Sequence, residues 1–315
     1  MIDKLIGNTP IVKIKYRYNN IERNMYAKLE YYNYTGSIKD RIVLNIIKNA
    51  KDKGLLKDGQ TIVEVSSGNT GISFSALGSL FKHPVDIFIP KSASIERINL
   101  MKLYGANVHI LDLNYVDLLK EAEKFSKEID GFMPNQFTNL VNSFTHYDET
   151  ASEIIDKLKD VEINGFVSGI GTGGTLMGIG EKLKLSNPNI SIIALEPDSM
   201  PLLSIGEKIS SHRIEGIGDD FIPKLVHKDL IDEIIQINDI DAIMMSRKLA
   251  STFGLGVGIS SGANFLAAVM SNLDNIVTVF ADDSKKYLST DLLNFDLYNG
   301  NSIVNDIDLL TIEVI

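Results

Sequence analysis

The sequence predicts an α/β fold of two open twisted sheets, mostly parallel and flanked by helices. Six short β-branched runs, at 61–65, 85–89, 107–111, 165–168, 191–195 and 276–280, read as buried strands. Between them lie segments with helical spacing: Ile42, Ile46, Ile47 and Ala50, then 140–158, then 240–253. Such alternation builds βαβ units whose helices cover both faces of a parallel sheet. The third observation is composition. With 315 residues, 44% hydrophobic and 23% charged, the chain is an ordinary globular protein able to bury a large core without staples. The turn-rich stretch 134–143, with Pro134, Asn135, Asn139 and Asn142, marks a boundary. Residues 291–315 lose the pattern, and this tail is expected to pack on the body or on a second subunit.

Charge and cysteine content exclude whole classes of function. Lys and Arg number 31 against 41 Asp and Glu, a net charge of −10, which is the wrong sign for displacing counterions from nucleic acid. The absence of cysteine excludes disulfides, Cys-ligated zinc, iron–sulfur clusters and a thiol nucleophile. The first residues carry no apolar signal segment, and the stretch 166–180 is too broken by glycine for a membrane helix. A cytoplasmic protein with no membrane partner is therefore expected. His83, His109, His212 and His227 show no metal-ligand spacing and are read as structural, so no metal site is expected.

In parallel α/β folds the chemistry sits at the carboxyl ends of strands, in the turns that open the next helix. Four turns stand out. Ser168-Gly169-Ile170-Gly171-Thr172-Gly173-Gly174-Thr175 follows a strand and precedes a helix. Its glycines let backbone amides approach an anion, and Thr172 and Thr175 add hydroxyls, as a phosphate site requires. The alternative is a tight turn where small residues only allow strand and helix to pack closely. The same turn fits Gly-x-Gly-x-x-Gly through Gly169, Gly171 and Gly174, with Glu196 ending the next strand as in a dinucleotide site.

Ser66-Ser67-Gly68-Asn69-Thr70-Gly71 combines hydroxyls, an amide side chain and helix-start amides, donors suited to a carboxylate. The alternative is helix capping, which Ser, Thr and Asn do routinely. Thr35-Gly36-Ser37-Ile38-Lys39-Asp40-Arg41 places a lysine at a helix start, where the dipole disfavours it. Lys39 is either a solvated partner of Asp40 or a buried amine able to form a Schiff base with an aldehyde. With a phosphate cradle elsewhere in the chain, that aldehyde would be pyridoxal phosphate. In Gly258-Ile259-Ser260-Ser261-Gly262-Ala263 a serine could hydrogen-bond a ring nitrogen, or cap its helix.

Together the four turns resemble the cysteine synthase and cystathionine β-synthase family, pyridoxal-phosphate enzymes of fold type II. Further matches are Ile6-Gly7-Asn8-Thr9-Pro10, Asn135-Gln136-Phe137, His146-Tyr147-Asp148-Glu149-Thr150, Gly216-Ile217-Gly218 with Phe221-Ile222-Pro223, and Tyr287-Leu288-Ser289-Thr290. The resemblance runs in the family's order from Gly7 to Thr290. It implies that Lys39 holds pyridoxal 5′-phosphate as a Schiff base and later acts as base at Cα. It assigns the cofactor phosphate to Gly171, Thr172, Gly173, Gly174 and Thr175, the ring hydroxyl to Asn69 and the pyridine nitrogen to Ser260. It gives the substrate carboxylate to Ser66, Ser67, Asn69, Thr70 and Gln136. It further implies a large cofactor-binding domain (1–41 and 141–315), a small mobile domain (42–140) that closes over the site, and a homodimer. The implied reaction is β-replacement on a three-carbon L-amino acid through an aminoacrylate.

Two departures bear on substrate. The family's carboxylate turn commonly begins with proline then threonine, whereas here it reads Val65-Ser66, which keeps the hydroxyl. Cysteine synthases usually carry small residues at positions 219 and 220, and cystathionine β-synthases tyrosine then aspartate; this chain has Asp219-Asp220. A carboxylate beside the cofactor is costly to bury without a task. Asp220, or Asp219, is therefore expected to act as a base in the second half-reaction, or to bind an incoming amino group; the alternative is a solvated or turn-capping pair. No haem ligands are apparent, so a minimal catalytic unit is expected. Its donors would be L-serine, O-acetyl-L-serine or L-cysteine, the last releasing hydrogen sulfide and giving lanthionine, cystathionine or serine. Competing readings are cysteine synthase proper, deamination of serine or threonine, an NAD-dependent oxidoreductase, and a non-catalytic binding protein. The oxidoreductase leaves Lys39 and residues 66–71 unexplained.

Overall fold

The structure, a computed structural model, describes residues 2–297 and 300–315. In chain order the strands and helices are β1 (Ile11–Tyr18), β2 (Ile21–Leu29), α1 (Lys39–Asp52), β3 (Ile62–Val65), α2 (Asn69–Leu80), β4 (Val85–Pro90), α3 (Ile95–Leu103), β5 (Asn107–Leu111) and α4 (Tyr115–Glu128). There follow α5 (Val141–Thr145), a π-helical turn (His146–Thr150), α6 (Ala151–Lys157), β6 (Gly165–Gly169), α7 (Gly174–Ser186) and β7 (Ser191–Pro197). The chain continues through β8 (Glu233–Ile237), α8 (Asp239–Phe253), α9 (Ile259–Met270), β9 (Ile276–Phe280) and β10 (Ile307–Val314).

Seven strands form one sheet in the order β10-β1-β2-β9-β6-β7-β8, and β3-β4-β5 form a second. Every pairing from β2 through β9, β6 and β7 to β8 is parallel, as are both pairings of the smaller sheet. Period-two alternation gives each sheet two apolar faces. In the large sheet Val167, Leu195 and Ile276 turn toward α8 and α9, while Phe166, Ile192 and Val277 turn toward α6 and α7. In the small sheet Ile62, Ile87 and Ile89 meet α1 and α2, and Val63, Val65 and Phe88 meet Leu118 and Ala122 of α4. All six expected strands are present.

The sequence reading missed β1, β2, β8 and β10. The tail folds back on the body: β10 lies antiparallel to β1, from Val12 opposite Val314 to Tyr18 opposite Ile307. Residues 298 and 299 of that tail lie outside the described residues. The periodicity at 140–158 is interrupted rather than continuous, because the π-helical turn separates α5 from α6. Among the described residues no helix is long and apolar enough to cross a membrane.

A buried ionic cluster fixes the start of α1. Arg41 and Glu30 are both fully buried and pair at 2.7 Å, and Arg41 also reaches Glu153 at 2.7 Å. Lys28 pairs with the other oxygen of Glu153 at 2.7 Å and donates to the Thr9 carbonyl. The two buried cations are matched by the carboxylates of Glu30 and Glu153, as burial of charge demands, and the more exposed Glu149 approaches Arg41 at 4.0 Å. The cluster pins the helix whose first residue is Lys39 to β2 and α6.

Candidate active site

The four turns converge on one cavity of about 800 Å³, lined by Lys39, residues 65–70, Gln136, residues 168, 169, 171–173 and 175, Asp219 and Ser260 among others; Gly174 of the phosphate turn does not line it. Of the sequence-predicted site residues that line it, those of the two sheets face one another: the small sheet supplies 66–70 and the large sheet 171–173 and 175.

Lys39 opens α1. Ser37 accepts from its backbone N–H, and the Ile38 N–H donates to the Ala281 carbonyl at 2.9 Å, tying the turn to the end of β9. Asp40 is not its partner. The Asp40 carboxylate accepts from the Thr35 N–H and hydroxyl at 2.6 and 2.5 Å and from the Ser73 hydroxyl at 2.6 Å. The Lys39 side chain instead reaches into the cavity, where burial holds its amine below the usual lysine range against the opposing pull of Asp219 and Asp282. An amine with a lowered pKa is the form that attacks an aldehyde. The other buried lysine nearby, Lys286, is engaged by the Gly36 carbonyl at 2.8 Å and Asn69 Oδ1 at 2.9 Å.

The glycine turn follows β6. Gly173 has φ +86°, the left-handed region, and a Cβ there would also collide with Val226. At the start of α7 the N-cap Gly173 offers no side-chain cap, and the Gly174 N–H makes only a long bond of 3.4 Å to the Thr172 hydroxyl, which leaves the first-turn amides able to serve an anion. Glu196 does not serve a dinucleotide site: its carboxylate accepts from the Leu203 N–H at 2.8 Å and the Ser204 N–H and hydroxyl.

In the second turn the Ser66 hydroxyl accepts from the Gly68 and Gly71 amides at 3.2 and 3.0 Å, the capping role. Ser67 is exposed, while Thr70 donates to Gln136 Oε1 at 2.6 Å and Gln136 donates to the Val65 carbonyl at 3.1 Å. Asn69 donates to Asp282 at 2.7 Å. Ser260 lies in the first turn of α9, whose N-cap is Gly258 with no side-chain cap bond, and its hydroxyl lines the cavity. An uncapped phosphate turn, a lysine amine, an amide and a serine hydroxyl around one cavity fit pyridoxal phosphate. Among the described residues no cluster of His, Cys, Asp or Glu could hold a metal ion.

The two aspartates part company. Asp219 lines the cavity, and burial pushes its carboxyl up to about 6, opposed by Lys39 and reinforced by Asp220. Asp220 does not line it; this residue is exposed and pairs with Lys208 at 2.5 Å. The next residue explains the split: Phe221 is seated against Tyr115 and Phe137, with ring centroids 5.3 and 5.1 Å away. That aromatic anchor fixes the orientation of the preceding backbone.

Sequence reasoning missed several residues here. Arg97 of α3 forms an ion pair with Glu215 across the cavity mouth, and its guanidinium stands 5.3 Å from the Tyr287 ring centroid. Tyr287 donates to Asp282, and Glu96 accepts from the Ser289 N–H and hydroxyl. Tyr287 and Ser289 stood in a matching motif, which was the available signal. Nothing in spacing or composition pairs Arg97 with Glu215.

The chain is similar to known proteins along most of its length. The profile of the family described as pyridoxal-phosphate dependent enzyme matches residues 2–282. A hydrogen sulfide-producing enzyme from Fusobacterium nucleatum is 44% identical with a TM-score of 0.95, covering 100% of this chain and 97% of that one. An O-acetylserine-dependent cystathionine beta-synthase from Helicobacter pylori is 32% identical with a TM-score of 0.86, covering 93% and 98%. Cysteine synthase B of Campylobacter jejuni is 41% identical over 300 residues, 92% of this chain and 97% of that protein.

Proposed function

The chain belongs to the family of pyridoxal-phosphate-dependent enzymes and is a β-replacement enzyme of the cysteine synthase and cystathionine β-synthase kind; from that premise we propose that its donor is L-cysteine, from which it releases hydrogen sulfide. The observation that carries this is Asp219, a carboxylate turned into the cavity where cysteine synthases usually have a small residue. A base there serves a nucleophile that arrives protonated, such as water or a thiol, and takes up the proton as the new bond to Cβ forms. Likeness to a hydrogen sulfide-producing enzyme supports the same reading.

When bound, pyridoxal phosphate supplies the electron sink that lets a β-substituent leave. The chain's residues do the rest. Lys39 would hold the cofactor through its amine, and the same amine would serve as the base at the substrate's Cα. Gly171 to Thr175 bind the phosphate with amides and hydroxyls, and Ser260 donates to the pyridine nitrogen without charging it. Asn69 contacts the ring hydroxyl. Ser67, Asn69, Thr70 and Gln136 orient the substrate carboxylate, with Ser66 shaping the turn. Residues 42–140 act as a small domain that closes on the larger one (1–41 and 141–315), and Arg97 with Glu215 is the latch between them. Closure protects the reacting intermediate from the bulk solvent. The functional unit is a cytoplasmic homodimer.

The purified enzyme should be incubated with L-cysteine, L-serine and O-acetyl-L-serine in turn, with sulfide and amino-acid products quantified. L-Cysteine is expected to yield sulfide with an equal amount of serine or lanthionine, or of cystathionine when homocysteine is supplied. Consumption of sulfide with O-acetyl-L-serine, and no sulfide from L-cysteine, would make the enzyme a cysteine synthase proper.

A further inference from the structure

The stretch that joins Gln136 to the large sheet holds two buried side chains aimed at the glycine turn. Asn142, on α5, is fully buried, and its Nδ2 donates to the Gln136 carbonyl at 3.0 Å and to Thr172 Oγ1 at 2.9 Å. Its Oδ1 is buried without a hydrogen-bond partner. A Cβ on Gly174 would collide with that oxygen, and one on Gly178 with the Ser143 carbonyl, so α7 lies against this segment with no side chain between. His146 opens the π-helical turn, an uncommon geometry that recurs at functional sites. It is fully buried, with Nδ1 at 3.0 Å from the Thr150 hydroxyl and Nε2 at 3.3 Å from the Thr175 hydroxyl.

These contacts decide where two hydrogens point. A hydroxyl that accepts a hydrogen bond keeps its own hydrogen for another acceptor. Thr172 Oγ1 accepts from Asn142, so its hydrogen is free for an anion in the turn. His146 is neutral, because burial, Lys39 and Arg41 all hold it well below the usual histidine range. In the tautomer with the proton on Nε2, Nδ1 accepts from the Thr150 hydroxyl and Nε2–H donates to Thr175, whose hydrogen is then free in the same way.

We propose that Asn142 and His146 are positioning residues for the phosphate turn: from one buried segment they orient the Thr172 and Thr175 hydroxyls as donors to the cofactor phosphate, and Asn142, through Gln136, also ties that turn to the substrate-carboxylate turn. This rests on the reading of residues 171–175 as the phosphate site. Neither residue lines the cavity, so each acts through the hydroxyl it contacts.

The test compares affinity of the full chain for pyridoxal 5′-phosphate and for unphosphorylated pyridoxal, followed by visible absorption. The ratio of the two affinities isolates the phosphate; a merely structural defect lowers both alike. Asn142→Ala and His146→Ala are each expected to lower the ratio about tenfold, the scale of one charge-assisted hydrogen bond. Asn142→Ala combined with Thr172→Val is expected to be no worse than Thr172→Val alone. Asn142→Asp keeps the shape, removes the donor and adds negative charge near the phosphate, so it lowers the ratio further and serves if the alanine variant folds poorly. A ratio unchanged in the Asn142 and His146 variants, while Thr172→Val lowers it, overturns the proposal and leaves the phosphate turn standing. A ratio unchanged in Thr172→Val as well overturns the reading of the turn, and the proposal with it.

Discussion

Lys39→Ala is expected to lower turnover by roughly three to four orders of magnitude, the span that a positioned acid–base and nucleophilic group contributes. The expectation rests on position. Lys39 is the lysine that lines the cavity, it sits at the start of a helix pinned by the Arg41 cluster, and burial lowers its pKa. Among the described residues no second lysine lines the cavity, and the nearby Lys286 is engaged by Gly36 and Asn69. The variant should still bind the cofactor, through the phosphate turn, but without a covalent link. Steady-state sulfide release and the visible spectrum measure both halves of that statement. A variant retaining more than about a tenth of the wild-type rate would remove Lys39 from the mechanism.

Asp219→Asn is expected to act later. Loss of a general base costs about two to four orders of magnitude in the step it serves. Sulfide departure precedes that step, so the variant should give a stoichiometric burst of sulfide followed by slow turnover. The pH profile adds an independent reading. Asp219 must be ionised to accept a proton, and burial raises its carboxyl to about 6. Activity of the wild type should therefore climb as pH rises through that region, and the acid limb should vanish in Asp219→Asn. The companion Asp220→Asn, altering an exposed residue paired with Lys208, should turn over near the wild-type rate without a burst and move the acid limb only slightly to lower pH, because the Asp220 charge is a lesser cause of the Asp219 shift. Unchanged turnover and pH profile in Asp219→Asn would show that the pocket carboxylate does not act on the nucleophile.

The parts of this molecule that the sequence made legible are those with local signatures. Strands buried on both faces, such as Ile276–Phe280, read as short runs rich in β-branched and aromatic residues, and the turns after β3 and β6 carry glycine and hydroxyls within a few positions. The strands that escaped have a different physics. β1 and β10 alternate apolar residues with lysine, threonine, aspartate or glutamate, because one side of each faces outward near the sheet edge. The pairing of Asp219 and Asp220 was visible, but which faces inward depends on Phe221 meeting Tyr115 and Phe137, residues distant in the chain. The Arg97–Glu215 ion pair and the reach of Asn142 and His146 to Thr172 and Thr175 are likewise products of packing between remote segments. No spacing in the sequence announces them.

The central claim is that Lys39 carries the cofactor in a cavity shared by the two sheets. Borohydride reduction of the intact holoenzyme, followed by proteolysis and mass spectrometry, tests it most directly. The account predicts the reduced cofactor on the peptide containing Lys39 and on no other. Attachment at Lys286 or at any other lysine, or no attached cofactor at all, would contradict it.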